Sequence, residues 1–186
     1  MKIYCTLILL LLSGSNLFSQ VYTTQNGKAK FEASMPFNTY TGESDQLQGK
    51  INFETRAVEF SLPVKSIKTG IDKRDADMYE LLNVEENPEV TFNGRLLSNY
   101  DLQMGEQAVK VNGGFTLAGS TRQVTIEGTL KPEGENLHLS ASWSLMISDY
   151  GLERPRITFV KVDDVPLEIW SINILKSSRK LTDLSA

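Results

Sequence analysis

Seven carboxylates, Asp72, Asp75, Asp77, Glu80, Glu85, Glu86 and Glu89, fall within eighteen residues of a 186-residue chain. Crowding of that kind could serve a calcium ion or a pair of catalytic acids. An EF-hand calcium loop takes ligands at positions 1, 3 and 5, a glycine at 6 and a glutamate at 12. Counted from Asp72, position 3 is Arg74 and position 6 is Asp77, so the spacing fails. Asp163 and Asp164 are consecutive; on a strand they point to opposite faces and do not form a pair. His138 is the only histidine, and the alternation around it puts it on the wet face of its strand. A nucleophilic triad needs a histidine held between a carboxylate and a nucleophile, and a lone histidine on the wet face reads instead as an exposed residue. GxSxG, HExxH, P-loop and GxGxxG patterns are absent. The expectation is a protein that is not an enzyme, with no metal site and no cofactor of its own.

A better account of the acidic stretch is a helix. Asp72 or Asp75 can cap its N-terminus, where negative charge also complements the helix dipole. Met78, Leu81 and Leu82 stand at i, i+3 and i+4 and make one apolar stripe. Asn87-Pro88 is expected to stop the helix, and Glu89 to Phe92 to resume an extended course. Arg74 and Asp75 then read as structural anchors of the helix, with Pro88 at its exit.

The elements around that helix are strands. Period-two alternation recurs along the chain. Ala29, Phe31 and Ala33 oppose Lys28, Lys30 and Glu32; Leu47, Ile51 and Phe53 oppose Gln48, Lys50 and Asn52. Val58, Phe60, Leu62 and Val64 form the next apolar face, with a tight hairpin expected at Thr55-Arg56. Val109, Val111, Phe115 and Leu117 continue the series, where Gly113-Gly114 predicts a bulge or sharp bend. Val124, Ile126 and Leu130 follow, then Leu137, Leu139, Ala141, Trp143, Leu145 and Ile147, and finally Val165, Leu167 and Ile169.

Eight or nine strands with one dry face each describe an all-β antiparallel domain, either barrel or sandwich. Long strands joined in order by short turns favour the barrel. Its axis would run about 25 Å, from 3.3 Å per residue and a tilt of about 40°. That length suits an extended hydrocarbon, although the same inward residues would equally make a packed core. The candidate inward set is Phe31, Phe53, Phe60, Leu62, Phe92, Phe115, Ile126, Leu139, Trp143 and Leu145, with Met78, Leu81 and Leu82 of the helix closing one end.

Residues 1–19 stand apart. Lys2, an apolar run from Ile3 to Leu12 and a small polar tail make a secretory signal cleaved after Ser19. The run is too short for a bilayer, which takes about 20 apolar residues. Cys5, the only cysteine, leaves with it, so disulfides and thiol chemistry are not expected in the domain at 20–176. Without Lys2 there are 18 basic against 23 acidic residues, a net −5, and no cationic run that would fit nucleic acid. The small cluster Lys176, Arg179 and Lys180 sits at the edge of the C-terminal tail, 177–186, and reads as solvated.

Five segments in order resemble the YceI-like family. They are SIKTGIDKRD (66–75) with LLNVEENPEVTF (81–92), GGFTLAGSTRQV (113–124), DYG (149–151), VDDVPLEI (162–169), and an opening strand with FEAS (31–34) followed by TG (41–42). The likeness spans about residues 22–175. It implies an exported, lipocalin-like, eight-stranded antiparallel barrel with one short amphipathic helix inserted between strands. It also implies a non-enzymatic binding protein, periplasmic or secreted, that holds an isoprenoid or other amphiphilic lipid with a long apolar tail. No stable membrane insertion is expected, and a homodimer is compatible. By position, Arg74 and Asp75 match the family's Arg-Asp pair, Pro88 and Phe92 its Pro-x-x-x-Phe entry to a strand, and Gly119 and Arg122 its hairpin turn. Departures are Ser120 for a common Val or Ile, Asn87 for a frequent aromatic, and the charged run Leu152-Glu153-Arg154-Pro155.

Overall fold

The computed structural model describes residues 21–35, 38–152 and 166–177, with side chains omitted at 34, 35, 38 and 166–177. Eight strands run in chain order: β1 (Val21–Met35), β2 (Asn38–Asn52), β3 (Ala57–Pro63), β4 (Glu89–Leu96), β5 (Gln107–Leu117), β6 (Ser120–Glu133), β7 (Asn136–Met146) and β8 (Pro166–Ser177). Each pairs antiparallel with its neighbours in sequence, and β8 returns to β1, closing the barrel. Closure leaves no sheet edge to be capped. The expected leader at 1–19, Asp163-Asp164, Glu153 to Pro155, and Arg179 and Lys180 lie outside the described residues.

An up-and-down order puts alternate connections at opposite ends. The ends of β1 and β7, the start of β2, the helical segment 64–88, the turn at 118–119 and the 3-10 turn after β7 share one end, here the upper end. The termini, 53–56, 97–106 and 134–135 share the lower end. The hairpin expected at Thr55-Arg56 is present as a four-residue turn. Asn52 Oδ1 accepts the Glu54 and Thr55 N–H groups at 3.0 Å, and Arg56 takes a left-handed φ of 62°. At the upper end Ala118 (φ 47°) and Gly119 (φ 75°) form the two-residue link whose twist matches the flanking strands.

Gly113-Gly114 carries no bulge: pairing runs unbroken through both residues in β4–β5 and β5–β6. Gly113 is instead directly opposite Gly94, and a side chain on either would overlap the neighbouring strand's backbone. The glycines permit a close strand approach and add no residue. The register shifts lie in β1, between Thr24, Gly27 and Ala29 against β2 and between Thr23 and Lys28 against β8.

The inserted helix, α1 (Asp72–Leu81), follows a single 3-10 turn at Val64–Ser66. Two expectations need correction. Neither Asp72 nor Asp75 caps the N-terminus; Ile71 occupies that position without a side-chain bond. Asn87-Pro88 does not end the helix, which stops at Leu81, with Asn83 in the left-handed region (φ 48°) turning the chain away. Pro88 is exposed and its carbonyl accepts the Val64 N–H at 2.9 Å.

Candidate functional site

Inward residues from seven strands and α1 surround a cavity of about 200 Å³, measured as room for the centre of a water molecule. Empty cavities of this kind in proteins are apolar, and the wall here is almost wholly hydrocarbon. It reaches from Leu96, Val109 and Leu130 deep in the lower half to Tyr40, Ile67 and Leu81 at the upper end.

The space exists partly because two aromatic rings lie along the wall. Phe31 is paired with Gly42 and Phe60 with Gly49. A methyl group on either glycine would overlap the ring beside it. Each ring therefore folds flat over a residue that has no side chain, a device that also covers a bare strand position. Phe115 meets Trp143 edge-on at 5.6 Å and Tyr150 at 5.9 Å. The Trp143 indole N–H is buried in this wall without a hydrogen-bond partner.

The wall includes eleven of the thirteen residues read from the sequence as inward: Phe31, Phe60, Leu62, Met78, Leu81, Leu82, Phe92, Phe115, Ile126, Leu139 and Trp143. Phe53 and Leu145 do not line it. Phe53 lies past the end of β2, in the turn, and stacks on Tyr100 at 4.9 Å with Tyr22 edge-on at 5.7 Å. These three rings cluster at the lower end, outside the cavity wall. Burial, with Tyr22 and Asp101 adding to it, pushes the Tyr100 hydroxyl up to about 12, and that hydroxyl has no partner among the described residues. Leu145 is buried in the packed core at the start of the upper end, opposite β8 at Leu167. Sequence reasoning left out Tyr40, Ile67 and Leu47, which also line the space. Leu47 was legible by alternation; Tyr40 and Ile67 come from the ends of elements, where alternation stops.

The upper end carries α1. Met78 and Leu82 are buried, while Leu81 remains 39% exposed although it lines the cavity, which places it at the rim. Asp75 is 5% exposed and faces back along the chain. Its Oδ1 accepts the Thr69 hydroxyl at 2.6 Å and the Thr69 N–H at 2.8 Å, with Lys68 Nζ 3.8 Å from Oδ2. The Thr69 hydroxyl bond, supported by its N–H and by Lys68 and Arg74, holds the carboxyl below the usual range against the opposing effect of burial. Tyr79 ties α1 to the 3-10 turn: its hydroxyl sits 2.8 Å from the Ile67 carbonyl and 3.0 Å from that of Lys65, and accepts from Lys68 Nζ at 2.8 Å. Arg74 stacks over Tyr40, with Cζ 4.7 Å from the ring centre. Arg122 donates from Nε to the Asp149 carbonyl, joining the β5–β6 turn to the 3-10 turn Ile147–Tyr150, and Asn87 packs against Gly119.

No helix among the described residues is long and apolar enough to cross a membrane, and no three metal-ligating side chains cluster there. His138 stands half-buried on β7 opposite Lys131 and β8.

A family model described as the YceI-like domain matches residues 21–170. Among solved structures, a polyisoprenoid binding domain from Saccharophagus degradans, implicated in plant cell wall breakdown, superposes with a TM-score of 0.68 at 14% identity. That match covers 86% of this chain and 99% of the other. Burkholderia cenocepacia BcnA gives 0.60 at 15% identity over 78% and 96%. A Campylobacter jejuni YceI protein gives 0.50 at 14% over 71% and 84%. No curated protein sequence matches significantly.

Proposed function

This chain belongs to the YceI-like family, and from that premise we propose that it is a non-enzymatic carrier of an amphiphilic lipid, an isoprenoid or a lipid of similar build. The observation that carries the reading is the cavity: hydrocarbon-walled, with three packed aromatic rings beyond its lower end and a short helix at its upper rim. A filled barrel serving only as an interaction module would have no need of such a void. The relative from Saccharophagus degradans is described as a polyisoprenoid binding domain, which supports the same class of occupant here. Export to the periplasm or beyond, through a leader cleaved after Ser19, belongs to the same proposal.

Energetics favour a carrier over a permanent holder. Taking a 20-carbon tail from water would be worth on the order of 16 kcal/mol at about 0.8 per methylene. Tails of that kind come from membranes, where they are already solvated by lipid. The net exchange energy is then small, and release is as accessible as capture. Native mass spectrometry of protein purified from its own host is the test. A copurifying lipid, or uptake of an added isoprenoid alcohol at one per chain, is the expected outcome. A chain that emerges bare and takes up no isoprenoid overturns the reading.

A further inference from the structure

The upper rim contains four lysines whose charges are already engaged. Lys30 pairs with Glu43 at 3.1 Å, Lys65 with Glu85 at 2.7 Å, Lys73 with Asp77 at 3.2 Å, and Lys68 approaches Asp75 at 3.8 Å. Arg74 differs. No carboxylate among the described residues lies within 4.0 Å of it, and its recorded contact is the face of Tyr40. Tyr40 is itself part of the cavity wall. Arg74 precedes Met78, another wall residue, by one helical turn, so both project from the same side of α1.

Stacking on a ring fixes a guanidinium plane and leaves its N–H edge free, and that edge matches two oxygens of a phosphate or carboxylate at once. The half-buried setting leaves the charge less hydrated than at an open surface. The nearby acids engage it only in part: Arg74 is the least of the groups that favour the Asp75 carboxylate, behind Thr69 and Lys68. Asp75 is turned inward to Thr69 and Asp77 is tied to Lys73. Asp72 and Glu80 are exposed, where the high dielectric of water weakens their pull on it.

The geometry points to Arg74 as the seat of an anionic headgroup. We infer that the lipid taken by this barrel carries a phosphate or carboxylate at the end left in the mouth, bound by the Arg74 guanidinium. This rests on the reading of the cavity as a lipid site. It adds the headgroup's charge and the residue that selects it.

The test uses three probes on the purified protein by calorimetry: farnesyl phosphate, farnesol and inorganic phosphate. The expected result is farnesyl phosphate binding about tenfold tighter than farnesol, with inorganic phosphate alone far weaker than either. Arg74→Gln should bring farnesyl phosphate down to the affinity of farnesol and leave farnesol unchanged. Should that variant fail to fold, the wild-type protein supplies the same contrast: the advantage of the phosphate should shrink with added salt while farnesol binding holds. Equal binding of the two farnesyl probes, or a preference that survives Arg74→Gln, overturns the assignment and leaves the lipid cavity standing. Inorganic phosphate binding as tightly as farnesyl phosphate would make the site one for a free anion and overturn the lipid headgroup. Failure of both farnesyl probes overturns the lipid reading itself.

Discussion

At the scale of single residues, the acidic stretch 72–89 resolves into different jobs for chemically identical groups. Asp77 and Glu85 make exposed ion pairs, which are worth little in water. Asp75 is the exception, since it is buried and receives two hydrogen bonds from Thr69. Its carboxyl is held below the ordinary value of 3.8, so the folded protein favours the ionised form. The stability this brings is present in full above that pH and is lost as the pH falls through the depressed value. Thermal melts of the wild type and of Asp75→Asn should therefore differ by a constant amount from neutral pH down to about pH 4. Below it the two curves should converge; a gap that does not narrow as the pH falls would mean the carboxylate is not the source. The sequence made Asp75 visible as a helix anchor but not its partner. Thr69 lies six residues back across a glycine with φ 78°, a turn whose direction no periodicity encodes.

At the scale of elements, alternation made the strands and their dry faces legible, because a closed barrel has one inside and every strand must face it. It also placed the helix, since Met78, Leu81 and Leu82 need a 3.6-residue period. What alternation could not supply was register. Phe31 meets Gly42 and Phe60 meets Gly49 only because of how the strands slide past each other, and in β1 that slide includes the shift at Gly27. The helix is held to its neighbour mainly by polar contacts at its edge, with Tyr79 central. Tyr79→Phe removes the hydroxyl and its bonds to the Lys65 and Ile67 carbonyls, a change of about 1 kcal/mol at a part-exposed site. Amide hydrogen exchange at Leu82, whose N–H bonds Met78, should quicken about fivefold while β7 amides stay as they were. An equal acceleration in β7 would show that the hydroxyl stabilises the whole barrel and not the helix locally.

At the scale of the whole molecule, eight strands alone do not guarantee a hollow: a barrel of that number can be filled by its own side chains. Here flat rings over glycines keep the middle clear. Gly49→Ala should push Phe60 off the wall, reduce uptake of a hydrocarbon probe, and destabilise the fold by about 1–3 kcal/mol through overpacking. Unchanged uptake in a folded Gly49→Ala protein would mean that Phe60 does not set the width of the space. This property was the least legible of all. The inward residues of a cavity and of a solid core are the same types in the same alternation, and the cross-strand pairings of Phe31 with Gly42 and of Phe60 with Gly49 separate the two.

The three packed rings at the lower end have a consequence for traffic. For a lipid that enters past α1, the cluster of Tyr22, Phe53 and Tyr100 beyond the far end of the cavity stands against a second way out, so an incoming molecule cannot push out a resident one from behind. Occupancy must then turn over by vacating first and refilling second, and the pace of that turnover belongs to the door, not to the crowd waiting outside it.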